Sequence, residues 1–242
     1  NQNQESFYRV KYTVPLLNQL GTLVKTHKIH YMDCYSLAND FFAFMKRGDY
    51  SIEEYLSYLE EYYSQEESEL FLLNTIDNLQ QLSLLAKSKQ PRIFMIGRKL
   101  LEPKLQKIGL DPREDETLQT TTLRDRMLWT LYEFGSPIAA EFGQKKFREL
   151  QGGQKVHPDI LTSVLRIGAA SFEDSILFLT QYIESGESTE VEKQRALYAL
   201  GCIRNREQLE KILIMNLEQT PKRNRVMIFH AVSHNSAANE WL

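Results

Sequence analysis

The chain has 242 residues, 42% of them hydrophobic and 25% charged, with a formal net charge of −3. That balance suits a globular protein able to bury about 70–75% of its unfolded surface, and it excludes the basic excess of a dedicated nucleic-acid or anionic-membrane binder. Cys34 and Cys202 are too few for a disulfide framework and fit a reducing, cytoplasmic compartment, and no apolar run approaches the ~20 residues needed to span a bilayer.

The first element, Ser6 to Tyr12, reads as a β-strand, with Phe7, Arg9 and Lys11 on one face and Tyr8, Val10 and Tyr12 on the other. A lone strand leaves its backbone groups unpaired, so it implies a missing sheet. Residues 1–13 are therefore expected to be the remnant of an upstream sheet, which the family resemblance given below makes a β-sandwich, and 14–242 a helical domain cut from a larger protein. Leu16, Leu17, Leu20, Leu23 and Val24 recur at helical spacing, as do Leu37, Ala38, Phe41, Phe42 and Met45, with Gly48 placed to end the second helix. Ser51 with Glu54 forms a capping box that opens a helix through Tyr63, with Tyr55, Leu56 and Leu59 on one face. The next helix, about Glu66 to Ala86, is expected to turn Leu70, Leu73, Ile76 and Leu84 inward.

Pro103 interrupts the following pattern, so Arg92 to Ile108 reads as two short helices. Asp111 to Thr122 reads as a loop and a subdomain break. Regular units follow. Leu123 to Phe134 closes at Gly135, Ser136-Pro137 opens the next helix, and Gly152-Gly153 ends it. Further helices are expected near Pro158, Phe172, Thr189, Arg206 and Pro221, Thr189 and Glu192 forming a second capping box. Paired helices of this length give a repeat of roughly 35 residues, the rhythm of helical-pair solenoids. The predicted fold is all-α: an irregular α-α superhelix of HEAT- or armadillo-like pairs with one short strand at its start.

Phe7-Tyr8-Arg9-Val10-Lys11-Tyr12 resembles the G-Y-Y-R-V-N-Y segment that ends the β-sandwich of gluzincin zinc aminopeptidases, a family including aminopeptidase N, puromycin-sensitive aminopeptidase and the tricorn-interacting factors. Met32-Asp33-Cys34 through Phe44 resembles that family's D-R-x-x-L-x-x-D-A-F-x-L-A helix, and Leu105 to Gly109 and Leu123-Arg124 match its L-G and L-R landmarks. His157-Pro158-Asp159-Ile160 is similar to its I-x-P-D-L-R turn, and Glu192-Lys193 with Ala199-Leu200-Gly201 to E-K-x-x-x-L-x-A-L-G. The pattern departs after Gln219, where Thr220 to Asn224 replaces V-R-x-Q-D, and the N-x-x-G-x-x-x-A-W ending is shortened to Asn235 through Trp241, so the domain is expected to be truncated at its C-terminus. The resemblance implies a parent that removes N-terminal residues from peptides with zinc, its partners being the upstream β-sandwich and catalytic domains and the peptide itself.

No H-E-x-x-H motif occurs in this chain, so neither catalytic nor zinc-binding residues are assigned to it. His230 and His234 share a helical face at i, i+4, a spacing open to a metal pair or to a surface pair near a helix end. His27 and His30 suit a helix junction. Arg204, Arg206, Lys222, Arg223 and Arg225 form a basic cluster. Arg204, Arg223 and Arg225 are candidates to hold a peptide carboxylate, the alternative being cations at helix ends. By the resemblance, the helix bearing His230 faces the catalytic cavity, which adds His230 to the peptide-binding candidates. Glu53, Glu54, Glu60, Glu61, Glu66, Glu67 and Glu69 read as a solvated acidic stripe, and Tyr55, Tyr58, Tyr62 and Tyr63 as helix packing. A stand-alone α-solenoid that binds a protein partner accounts for the helices equally well, but not for the opening strand or the ordered landmarks.

Overall fold

In the computed structural model the described residues are 8–218, 220–235, 237 and 238, and among them twelve α-helices form with no strand. They divide into two compact units between Ile108 and Gly109.

The first unit holds α1 (Val14–Lys25), α2 (Tyr31–Lys46), α3 (Ile52–Tyr62), α4 (Glu69–Leu85) and α5 (Gln90–Ile108), with one 3-10 turn at Lys87–Lys89. Local chemistry sets these bounds. Gly48 takes φ 90° after α2, where a side chain would be strained. At the start of α3, Ser51 Oγ accepts from the Glu54 N–H at 3.1 Å, and the Glu54 carboxylate accepts from the Ser51 N–H at 2.6 Å. His30 caps α2 by accepting from the Met32 N–H at 3.4 Å. The core is aromatic: Tyr55, Tyr63 and Phe71 are fully buried, and the Tyr63 hydroxyl donates to the Cys34 carbonyl at 2.8 Å.

Three expectations in this unit are corrected. The strand at Ser6 to Tyr12 has no ladder among the described residues, and Ser6 and Phe7 lie outside them. With no neighbouring strand among the described residues, the segment gives its polar groups to α2 and to Tyr50. The Val10 N–H donates to Asp40 Oδ2 at 2.9 Å, Arg9 donates to the Asn39 carbonyl at 3.1 Å, and the Tyr12 carbonyl accepts from the Tyr50 hydroxyl. Second, α5 runs unbroken through Pro103. Its buried stripe of Ile96, Leu100, Leu101, Lys104 and Leu105 continues past the proline, and Pro103 and Lys99 are both exposed, so water can take the carbonyl that the missing N–H leaves. Third, α4 turns Phe71, Leu72, Thr75, Ile76, Asn78, Leu79 and Leu82 inward and leaves Leu70 exposed.

The second unit holds α6 (Leu118–Glu133), α7 (Pro137–Gln151), α8 (Leu161–Ser171), α9 (Ser175–Glu184), α10 (Glu190–Leu200), α11 (Arg206–Glu218) and α12 (Lys222–Ser233). The segment read as a loop through Thr122 is already helical from Leu118, because Thr117 caps α6 by accepting from the Thr120 N–H at 3.2 Å. Arg124, fully buried, bonds to the Gly109 carbonyl at 2.9 Å and pairs with Glu116, which ties the start of the unit to α6. Helices α7 and α8 cross closely: a Cβ on Gly168 would lie 2.1 Å from the Phe147 ring, and one on Gly143 would lie 2.4 Å from Ile167. The second capping box opens α10, where Thr189 Oγ1 accepts from the Glu192 N–H at 3.2 Å and Glu192 accepts from the Thr189 N–H at 2.8 Å. Residues 239–242, including Trp241, lie outside the described residues, so the shortened C-terminal landmark is not placed.

Candidate functional site

The candidate site lies in the second unit, where α6, α8 and α12 meet the turn after α10. Close approach builds it. A Cβ on Gly201 would lie 2.5 Å from Ala231 Cβ and 2.8 Å from the Ile228 carbonyl, so α12 can sit against the end of α10 only because residue 201 has no side chain. Asn235 then locks the corner, donating to the carbonyls of Gly201 at 3.0 Å and Ile203 at 2.7 Å.

Trp129, Glu133, Arg166, Arg204 and His234 line the cavity that results, a space of about 10 Å³ that holds no more than one water, so a larger group such as a carboxylate enters only if an outer side chain such as Arg204 swings aside. The Arg166 guanidinium lies 3.9 Å from the Trp129 ring and 5.0 Å from the Tyr198 ring, and that of Arg204 lies 5.0 Å from the Tyr132 ring. All three distances are within cation–π range. Two donors remain unused. Trp129 Nε1 and Arg166 Nε are buried without a hydrogen-bond partner among the described residues, a state that costs about 1–3 kcal/mol per group unless an acceptor arrives. Burial pushes the Cys202 and Tyr198 pKa values up, and the nearby Arg166 opposes both shifts. Each therefore stays neutral at physiological pH. The site is a set of hydrogen-bond donors and cations held on aromatic rings, with Glu133 the carboxylate among its lining residues and the buried Asp125 close enough to Arg166 to interact with it, and its chemistry favours an acceptor of negative charge.

The four candidates read from the sequence divide. Arg204 lines the cavity, and His230 sits one ring away, 5.6 Å from Tyr198 and 4.7 Å from His234 between ring centroids. Arg223 and Arg225 are not brought to it. Arg225 donates from Nε to the Thr220 carbonyl at 2.9 Å and its own carbonyl accepts from Asn216 Nδ2 at 3.1 Å, so it fixes the entry to α12. Arg223 is exposed, 3.6 Å from Glu190 across the starts of α12 and α10. His230 and His234 stack edge to face, and among the described residues no group of three His, Cys, Asp or Glu side chains forms a metal site.

Arg166, Trp129 and Tyr198 were not singled out from the sequence. One signal was present: Arg166 is the single charged residue of α8, in Leu-Thr-Ser-Val-Leu-Arg-Ile-Gly-Ala-Ala-Ser, a helix otherwise committed to burial.

The acidic stripe and the tyrosines are placed as well. Tyr55, Tyr58, Tyr62 and Tyr63 are buried in the first unit. Glu53 and Glu60 pair with Arg92 and Lys99, and Glu67 with Lys104 and Lys107. No helix among the described residues is long and apolar enough to cross a membrane.

The sequence profile of the family described as ERAP1-like C-terminal domain matches residues 1–242. The chain is also similar to a protein named Aminopeptidase M1-A from Oryza sativa subsp. japonica, 26% identical over 151 residues. That match takes in 61% of this chain and 17% of the rice protein, so the chain spans a small part of its relative's length.

Proposed function

The chain belongs to the ERAP1-like C-terminal domain family, and from that premise we propose that it is the helical C-terminal domain of a zinc aminopeptidase that removes N-terminal residues from peptides. Its partners are then the β-sandwich and catalytic domains of the same protein, and its task is to enclose the active-site cavity and hold the distal part of the peptide. The similarity to a protein named as an aminopeptidase supports the parent activity.

The residues of this chain do not fit a zinc site, since among those described no three ligand-type side chains converge. Zinc and the groups that work with it are assigned to the other domains, and no step of hydrolysis is assigned here. Two buried free thiols, Cys34 and Cys202, support a cytoplasmic setting.

The observation that carries the peptide-holding role is the pair of unpartnered donors, Trp129 Nε1 and Arg166 Nε, beside Arg204. A peptide's terminal carboxylate supplies the acceptors these groups lack, with Arg204 as the outer cation and His230 at the rim. An assay of the 242-residue chain with a fluorogenic aminoacyl substrate and added zinc tests the division of labour. The expected result is no turnover above buffer, and zinc-dependent turnover by this chain alone overturns it.

A further inference from the structure

Helix α3 carries four carboxylates that the structure treats differently. Glu53 and Glu60 face α5, where Arg92 Nε lies 3.0 Å from Glu53 Oε1, Arg92 Nη2 2.8 Å from Glu60 Oε2 and Lys99 Nζ 2.7 Å from Glu60 Oε1. Glu54 and Glu61, two turns apart and about 100° further round the helix, have no cation within salt-bridge distance among the described residues. Glu54 bonds to Ser51 within its capping box, which holds its pKa below the usual carboxylate range, and Glu61 lies close enough to Tyr62 to help burial raise that phenol's pKa.

Between these two carboxylates α1, α2 and α3 leave a pocket of about 180 Å³. Its walls are aromatic: Phe41 and Tyr58 have centroids 5.0 Å apart, and Tyr58 and Tyr62 4.9 Å apart. The hydroxyls of these walls are spent on the protein, Tyr58 donating to the Leu17 carbonyl at 2.9 Å and Tyr50 to the Tyr12 carbonyl. What the pocket offers a ligand is therefore ring surface with Val14 and Leu17 beside it, the Asn18 amide, and two carboxylates that no cation pairs among the described residues, a combination that selects a cation on an apolar stem. Its volume is that of one long side chain rather than of a drug-sized molecule.

We propose that this pocket docks a basic segment of another polypeptide, taking one arginine or lysine side chain with its head between Glu54 and Glu61 and its stem against Tyr58 and Tyr62. This site is separate from the carboxylate-seeking cavity of the second unit and does not depend on that reading.

The test is an amide-resolved NMR titration of the ¹⁵N-labelled 242-residue chain with acetyl-Ala-Arg-Ala-amide, and with the citrulline counterpart of the same shape and no charge. Saturable shifts at Leu17, Ser57 and Tyr58 are expected, with the citrulline peptide at least tenfold weaker. The double variant Glu54→Gln, Glu61→Gln, in which Gln still serves the capping box, is expected to bind at least tenfold more weakly with its other amide shifts unchanged. Absence of saturable shifts, equal binding of the citrulline peptide, or unchanged binding by the double variant overturns the proposal. So does the appearance of the same shifts on raising protein concentration alone, which would assign the pocket to a second copy of the chain.

Discussion

The guanidinium of Arg166 lies 3.9 Å from the indole of Trp129, and each residue keeps one buried N–H without an acceptor among the described residues. Stacking holds the cation against the ring while its Nε–H is left unfilled. A core built only for stability would fill or remove those donors, since a neutral side chain of similar volume would carry no such penalty.

Replacing Arg166 with Met keeps the apolar stem and removes both the charge and the unfilled donor. The expected change in unfolding free energy is a loss of about 1–3 kcal/mol, because the relieved donor only partly offsets the lost stacking and the cation taken from the buried Asp125. Binding of a peptide carboxylate is expected to weaken at least tenfold. Urea denaturation and a peptide titration read the two effects separately, and a large loss of stability with unchanged binding would mark Arg166 as a structural residue.

Gly168→Ala is expected to destabilise the second unit by about 1–3 kcal/mol, the usual cost of overpacking. The added Cβ would lie 2.1 Å from the ring of the fully buried Phe147, so α7 and α8 must separate. The urea midpoint measures the loss, and an unchanged midpoint would show that the helix crossing is looser than described.

Thr189→Ala and Ser51→Ala each remove the side-chain half of a capping box and are each expected to cost about 1 kcal/mol. Glu192→Gln keeps the reciprocal bond to the Thr189 N–H and is expected to cost less than Thr189→Ala. Parallel denaturation curves for the three variants test the ranking.

These caps show why so much of the fold was legible. Capping boxes, Gly48, Gly135 and Pro137 are local signals, and each ends or begins a helix where the sequence placed it. The misreadings arose where tertiary context overrides local pattern. Thr75 and Asn78 are polar yet buried, Asn78 being satisfied by the Tyr55 hydroxyl at 3.3 Å and Asn74 at 3.0 Å, so counting leucines turned α4 the wrong way. Pro103 was read as a break because its cost depends on whether Lys99 faces water, which only the packing decides. The candidate site was half legible. Arg204 and His230 stood in a visible basic and histidine-rich stretch, whereas Trp129 and Arg166 belong to helices far apart in sequence that converge only in three dimensions.

Burial, with Glu66 and Asp33 nearby, pushes the Cys34 thiol up to about 12 from its ordinary 9, and burial raises Cys202 as well. Both are expected to remain thiols and to resist a thiol-exchange reagent at pH 8 until denaturant is added, when two react. The linkage has a definite sign. A folded-state pKa above the unfolded value gives stability that is complete below pH 9 and declines between pH 9 and 12, as the unfolded chain releases the Cys34 proton first. Cys34→Ala is expected to flatten that decline, and an equally steep decline in the variant would assign it to other groups.

Calorimetric titration of the 242-residue chain with a tetrapeptide acid and with the same peptide as its amide tests the assignment of the second-unit cavity most directly. The acid is expected to bind at least tenfold more tightly than the amide, and that preference is expected to vanish in Arg166→Met and in Arg204→Met. Equal affinity for acid and amide, or a preference that survives both substitutions, would contradict the carboxylate-holding role.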